Sequence, residues 1–301
     1  MIESTGDPFA YRYEVPVPGG ALHVARSGPE PAEAEAVVLA VHGVTASLMT
    51  FRSIARELPP RISLLAPDLR GRGRSAGLPG PYGMEEHVID LLAVLDHAGV
   101  SNAVLVGHSM GAYVAARLAA EHPDRVSGLI LLDAGLPFPI PDDPSSLLDN
   151  AVTNAVMRLA ITFPSADDYV EGWRAHPAFA DAWDADIESY ARYDLIEDGG
   201  VARCIASGEA VRTDSREMVL DDATRTAIER VQAPVQLLRA ERGLFDDEDS
   251  PLIPADELHA FASDRPDVRV EEVADVNHYT LVLGDAAGPR RVVAAIERAI
   301  G

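Results

Sequence analysis

The sequence predicts an α/β fold: a doubly wound, mostly parallel eight-stranded sheet with a helical cap inserted between its sixth and seventh strands. Three observations carry this expectation. Short, continuous apolar runs at residues 37–41, 62–66, 103–106, 129–132 and 235–238 are rich in Val, Ile and Leu, as expected of strands buried on both faces. Stretches of helical period separate them, so strand and helix alternate. From Leu136 to about Ile228 the alternation stops.

Taken in order, residues 11–17 and 21–25 alternate and are joined by Pro18-Gly19-Gly20, which reads as an antiparallel hairpin. Helices are expected at 51–58, at 84–98, where Val88, Leu91, Leu92 and Leu95 share one face, and at 110–121. The region after Leu136 offers helical patterns, Trp173, Trp183, Tyr169, Tyr190 and Tyr193, and no convincing strand. Pro137, Pro139, Pro141 and Pro144 mark its beginning, and Ala233-Pro234 returns the chain to the sheet. Residues 268–273 read as the last strand and 289–300 as a closing helix. The expected organisation is therefore a core from residues 1–135 and 231–301 around a helical cap at 136–230, with no internal repeat.

At 301 residues, one core plus an excursion is the natural division. With 47% hydrophobic and 24% charged residues the chain can fill such a core. The net charge of −23, from 25 basic and 48 acidic side chains, would repel nucleic acid and anionic lipid. The expected partner is a small-molecule substrate, with no nucleic acid and no membrane. Oligomeric state is not legible. The single cysteine, Cys204, allows no internal disulfide and is read as a packing residue. No H-x-x-H or Cys/His cluster appears, so neither metal nor cofactor is expected. Residues 1–8 lack a basic segment followed by an apolar one, and no apolar run reaches spanning length, which predicts a cytoplasmic chain.

Gly107-His108-Ser109-Met110-Gly111 lies between an expected strand and an expected helix. In that context G-x-S-x-G becomes a nucleophile elbow, with small residues flanking a serine on a strained turn. A serine hydroxyl is a poor nucleophile near neutral pH, so it needs a base and a carboxylate to orient that base. His278, in Asp275-Val276-Asn277-His278-Tyr279, follows the last strand and returns to the sheet edge where Ser109 stands. An oxyanion would need preorganised N–H donors. Met110 supplies one, and Val44 a second, because Gly43 lets the loop Val41-His42-Gly43-Val44-Thr45 turn its amide inward. His42 is read as a loop brace, and His108 as packing beside the serine.

On these motifs, together with Asp68-Leu69-Arg70-Gly71-Arg72-Gly73-Arg74-Ser75, the chain resembles an α/β-hydrolase fold enzyme of the capped esterase type. The motifs stand in family order over most of the chain. The resemblance implies that Asp68 and Arg70 are scaffold. It also implies an Asp just past the seventh strand, yet Leu237-Leu238-Arg239-Ala240-Glu241-Arg242-Gly243 places Gly243 there. Two residues preserve the order serine, acid, histidine. Asp133 ends the sixth strand, where a subset of the family carries its acid; Asp246 completes Gly243-Leu244-Phe245-Asp246 if the seventh-strand loop is long. Asp133 is the first choice because a strand end fixes a carboxylate more rigidly than a loop. Asp246 is the alternative acid, followed by Glu241 and residues 247–249.

The resemblance implies hydrolysis of a carboxylic ester, lactone or thioester of a small apolar substrate through an acyl-enzyme on Ser109. C–C bond hydrolysis or acyl transfer would use similar machinery. A small-molecule receptor on the same fold is a further alternative. Dehalogenases and epoxide hydrolases attack with Asp at the elbow, so Ser109 argues against both. Trp173, Trp183, Tyr190 and Tyr193 are read as packing the cap on the sheet.

Overall fold

The structure, a computed structural model, describes residues 6–137, 140, 143, 156, 157, 159–285 and 287–301. The first residues of the chain and Pro139, Pro141 and Pro144 lie outside the described residues.

The hairpin forms between β1 (Tyr11–Val17) and β2 (Gly20–Ser27), with Val17 opposite Gly20. Gly20 thus belongs to the strand, and Pro18 and Gly19 alone make the turn, with Gly19 at φ 87°. The main sheet continues through β3 (Ala36–Val41), β4 (Ile62–Pro67), β5 (Ala103–His108) and β6 (Val126–Leu132). Between β6 and the next strand of this sheet, the chain forms β7 (Thr162–Phe163), β8 (Leu195–Asp198) and β9 (Val201–Cys204). It then rejoins the main sheet as β10 (Val235–Arg242) and β11 (Arg269–Asn277). The eight-stranded order is β1-β2-β4-β3-β5-β6-β10-β11. β2 meets β4 antiparallel, and every pairing from β4 to β11 is parallel.

Alternation along the strands divides the core into two layers. Val38, Ala40, Val104 and Val106 face one layer, while Leu39, Val41, Ala103 and Leu105 face the other. The helices α1 (Arg52–Glu57), α2 (Met84–His97) and α3 (Met110–Glu121) match the expected positions within two residues at either end. A 3-10 turn at Leu48–Phe51 takes up the start expected for α1. The buried face of α3 is built from Ala112, Ala115, Ala116 and Ala119, whose small side chains bring the helix close to β5. The closing helix is Ala287–Ile300.

The segment between β6 and β10 corrects one expectation. Besides its helices Ala166–Arg174, Ala185–Tyr193 and Gly208–Leu220, it contains the three-stranded sheet β7-β9-β8. These strands are two to four residues long and β8 is half exposed, so they leave no continuous apolar run to read. A turn signal was present: Gly199 and Gly200 sit at φ 60° and 83° between β8 and β9, the conformation that a Gly-Gly hairpin turn provides. Cys204 is buried on β9.

This inserted segment is tied to the core by buried polar contacts. Tyr193 donates its hydroxyl to Asp68 at 2.6 Å, and Asp186 accepts from Arg52 at 2.9 Å and Ser53 at 3.1 Å. Of the four aromatic residues expected to pack, Trp173, Tyr190 and Tyr193 are buried and Trp183 is half-buried, and Trp173 meets Tyr279 of the core edge-on at 5.9 Å. Among the described residues no helix is long and apolar enough to cross a membrane.

Candidate active site

Parallel strands end together, so residues just past β3, β5, β6 and β11 gather at one edge of the sheet. Ser109 stands between β5 and α3 with φ 57° and ψ −127°, a backbone conformation costly for a non-glycine residue. Its N–H donates to Leu132 O at 3.1 Å, which fixes the turn against the end of β6. The flanking glycines are sterically required. A Cβ at Gly107 would lie 2.3 Å from Gly111 O, and one at Gly111 would lie 2.0 Å from Val41 O.

The same crowding places the loop after β3 against the serine. A Cβ at Gly43 would stand 3.1 Å from Ser109 Cβ and 3.4 Å from Oγ. His42 is a brace, as expected. Leu69 N–H donates to its Nε2 at 2.9 Å, so Nδ1 carries the proton and donates to Gly43 O at 2.8 Å. In a trans peptide the carbonyl and the next N–H point in opposite directions. Holding Gly43 O on the His42 side therefore turns the Val44 N–H to the other side. Met110 opens α3, and the first N–H of a helix has no partner carbonyl within that helix.

His278 follows β11 directly. Its Nδ1–H donates to Asp133 Oδ2 at 2.8 Å, which leaves Nε2 as the acceptor. Asn277 shapes this turn: its Oδ1 accepts from Tyr279 N and Thr280 N, both at 3.0 Å. His108, expected to pack beside the serine, is buried there. Its Nε2–H donates to His278 O at 2.9 Å, and the two rings lie 4.4 Å apart, so the elbow itself braces the second histidine.

The structure separates the candidate acids. Asp133 is fully buried at the end of β6, with φ 53°. Its Oδ1 accepts from Ala240 N at 3.0 Å and its own N–H donates to Leu238 O at 2.8 Å, so the carboxylate is locked to β10. Asp246 accepts instead from Asn277 Nδ2 at 3.0 Å and pairs with Arg242 at 3.4 Å. Glu241 accepts from Asp275 N, Asp247 from Asp249 N, and Glu248 pairs with Arg242. The scaffold motif is equally engaged. Asp68 accepts from Leu48 N and Arg74 N, and Arg70 forms a fork on Asp90.

Two residues escaped the sequence reading: Arg72, whose Nε donates to Val44 O at 2.9 Å, and Asp214, which pairs with Arg72. Arg72 was visible within the glycine-rich motif, but nothing local marked which carbonyl it would hold.

Burial pushes the His42 imidazole down to about 3 from 6.5, and pushes His108 well down too. Both are neutral in the folded protein and would take protons when unfolded. Their folded values lie below the unfolded one, so this stability is fully present above pH 6.5 and is lost as pH falls toward 3. Thermal melts from pH 7.5 to 4 should show Tm dropping on the acid side. The His42→Gln variant, less stable at pH 7.5, should show a shallower drop.

Comparison with known proteins gives the family and the fold. A family model described as alpha/beta hydrolase fold matches residues 36–285. The chain is 38% identical over 167 residues to lipase LipV of Mycobacterium tuberculosis, a match covering 56% of this chain and 57% of the lipase, so it spans little more than half of that relative. It is 28% identical over 260 residues to 2-(acetamidomethylene)succinate hydrolase of Mesorhizobium japonicum, covering 86% of this chain and 85% of that one. A crystal structure of E-2-(acetamidomethylene)succinate hydrolase superposes with a TM-score of 0.77 at 22% identity, over 96% of this chain and 98% of the other. The strained serine between β5 and α3, the eight-stranded sheet that presents it and the family model, which spans the serine and the sheet from β3 to β11, place the chain in the alpha/beta hydrolase fold family.

Proposed function

We propose that this protein hydrolyses a carboxylic ester of a small, apolar substrate through an acyl-enzyme on Ser109. The observation that carries the reading is the 2.8 Å bond from His278 Nδ1 to Asp133, on a histidine whose carbonyl is held from the elbow by His108. With Nδ1–H fixed on the carboxylate, Nε2 takes the Ser109 proton as the hydroxyl attacks the ester carbonyl. The Val44 and Met110 amides receive the oxyanion. His278 then returns the proton to the departing alcohol and activates water for deacylation. Asp133 orients the base and offsets the imidazolium charge.

Residues 136–230 act as a cap that shapes the substrate site. The rings of Trp173, Phe179 and Tyr279 meet one another beside His278, which supports an apolar wall next to the base. Lactone and thioester hydrolysis would proceed by the same steps. C–C bond hydrolysis or acyl transfer, which would use similar serine machinery, is the second reading.

A panel of p-nitrophenyl esters from acetate to long acyl chains, with a lactone and a diketone added, tests this reading. Fluorophosphonate labelling of Ser109 accompanies it. The wild type should cleave short to medium esters and be labelled, and Ser109→Ala should abolish both. Preferential diketone cleavage would replace the ester reading by the C–C one, and a wild type that neither turns over nor is labelled would remove both.

A further inference from the structure

Beneath the loop that carries Val44 lies an arginine with no exposure to solvent. Arg72 Nε donates to Val44 O and Nη1 to Arg70 O, both at 2.9 Å. Asp214 pairs with Nη1, and among the described residues it is the one carboxylate in ion-pair contact with Arg72. Asp214 belongs to the inserted segment, on the helix Gly208–Leu220, and is likewise fully buried. The same Oδ2 accepts from His87 Nε2 of α2 at 2.8 Å.

That helix is seated closely on the motif that contains Arg72. Ser207 N–H, at its start, donates to Gly71 O at 2.8 Å. A Cβ on Gly71 would stand 2.5 Å from Ala210 Cβ, so only a glycine lets the helix come so near. Burial alone would raise the Asp214 carboxyl, but the charges of His87 and Arg72 outweigh it and bring it to about 2.

A buried guanidinium is tolerated only while an opposite charge and hydrogen-bond acceptors surround it. If the helix carrying Asp214 rises, Arg72 loses its counter-charge and is drawn toward water. It then releases Val44 O. The peptide planes on both sides of Val44 Cα are pinned separately, one by His42 on Gly43 O and the other by Arg72 on Val44 O. Losing either bond frees the torsions that aim the Val44 N–H.

We propose that Arg72 is a positioning residue of the oxyanion hole, and that seating the helix Gly208–Leu220 completes that hole by placing Asp214 on Arg72. This rests on the ester-hydrolase reading above. It couples acceptance of substrate under the cap to stabilisation of the tetrahedral intermediate, through side chains that touch neither Ser109 nor His278.

The test uses the full chain and compares wild type, Arg72→Lys, Asp214→Asn and the double variant Arg72→Met/Asp214→Leu on p-nitrophenyl acetate and its thiono analogue. Lysine keeps the charge for Asp214 but lacks the planar fork that reaches Val44 O at the same time. The double variant removes both charges, so it guards against unfolding caused by an unpaired ion. Amides fitted to an oxyanion discriminate against the larger sulfur, so the ratio of oxo-ester to thiono-ester turnover reports the hole itself. We expect kcat on the oxo-ester to fall about 100-fold in each variant, with KM within about threefold. The oxo/thiono ratio should collapse by about tenfold or more, even in the double variant with its Tm near wild type. An unchanged ratio in Arg72→Lys or in the double variant would overturn the role of Arg72. An unchanged ratio in Asp214→Asn alone would overturn the coupling to the helix. A wild type inert toward both esters would strike the hydrolase reading itself, an outcome distinct from an active wild type with unmoved variants.

Discussion

Asp133→Asn should lower kcat on an activated ester by about four orders of magnitude, or about 5.5 kcal/mol of transition-state stabilisation, while leaving the protein folded. The size of the effect follows from which atoms need which partner. Oδ1 accepts from the Ala240 N–H and Oδ2 from His278 Nδ1–H. An Asn side chain has one acceptor and one donor. Its oxygen is held by the backbone donor of β10, which cannot change its character, so the NH2 faces His278. The imidazole must then accept at Nδ1 and carry its proton on Nε2, the tautomer unable to take a proton from Ser109. Asp246→Asn faces a softer environment. Asp246 accepts from Asn277 Nδ2 at 3.0 Å and is half-buried, so its amide can flip to keep that bond, and kcat should stay within about threefold. Steady-state kinetics on both variants, with melting curves to confirm folding, decide the matter. A near-normal Asp133→Asn beside an inactive Asp246→Asn would transfer the role of acid to the loop.

The choice between these two carboxylates shows where the sequence is informative and where it is not. Ser109 could be read locally because its requirements are local: a strand, two glycines and a helix, all between residues 103 and 121. His278 could be read because β11 delivers it to the same edge, although the strand runs on to Asn277, beyond the expected end at 273. The acid depends on events far apart in the chain. Asp133 and His278 are 145 positions apart, and their meeting depends on β10 lying between β6 and β11. β10 extends to Arg242, four residues past its apolar run, with a register shift between Ala240 and Arg242. Ala240 presents its N–H to the β6 side because it lies two residues past Leu238, whose carbonyl accepts from Asp133 N, and no local pattern announces that meeting. The inserted segment was hard to read for a related reason. Its hairpin strands carry charged residues and pair mainly with each other, so their hydrophobic signal is weak and only Gly199-Gly200 betrayed them. Several of its links to the core join residues more than a hundred positions apart, as in His87 and Asp214, where neither side chain is unusual in its own helix.

Arg70→Met should cost about 3–5 kcal/mol and lower Tm by roughly 10 °C. Arg70 and Asp90 are almost fully buried, and the guanidinium grips the carboxylate with Nε at 3.0 Å and Nη2 at 2.8 Å. Its Nη1 also donates to Pro18 O and Pro79 O, which ties the β1–β2 turn to the loop before α2. Removing the arginine leaves a carboxylate out of water with no cation beside it. Burial already raises the Asp90 carboxyl while the hydrogen bond and charge of Arg70 act in the opposite direction, so losing Arg70 raises it further. For an acid the sign is then clear. The penalty is full while Asp90 is ionised and shrinks as falling pH protonates it, so the Tm gap between wild type and Arg70→Met should narrow from pH 7 to pH 5. Arg70→Met/Asp90→Leu should recover most of the loss, because what destabilises the single variant is the stranded charge. Two proline carbonyls would still lack their donor, at about 1 kcal/mol each, so recovery should be incomplete. A single variant that melts within a degree or two of wild type, with a gap that pH does not change, would mean that Asp90 finds another partner. The scaffold reading of Arg70 would then fall, since its case rests on that pair being the main tie between the motif and α2.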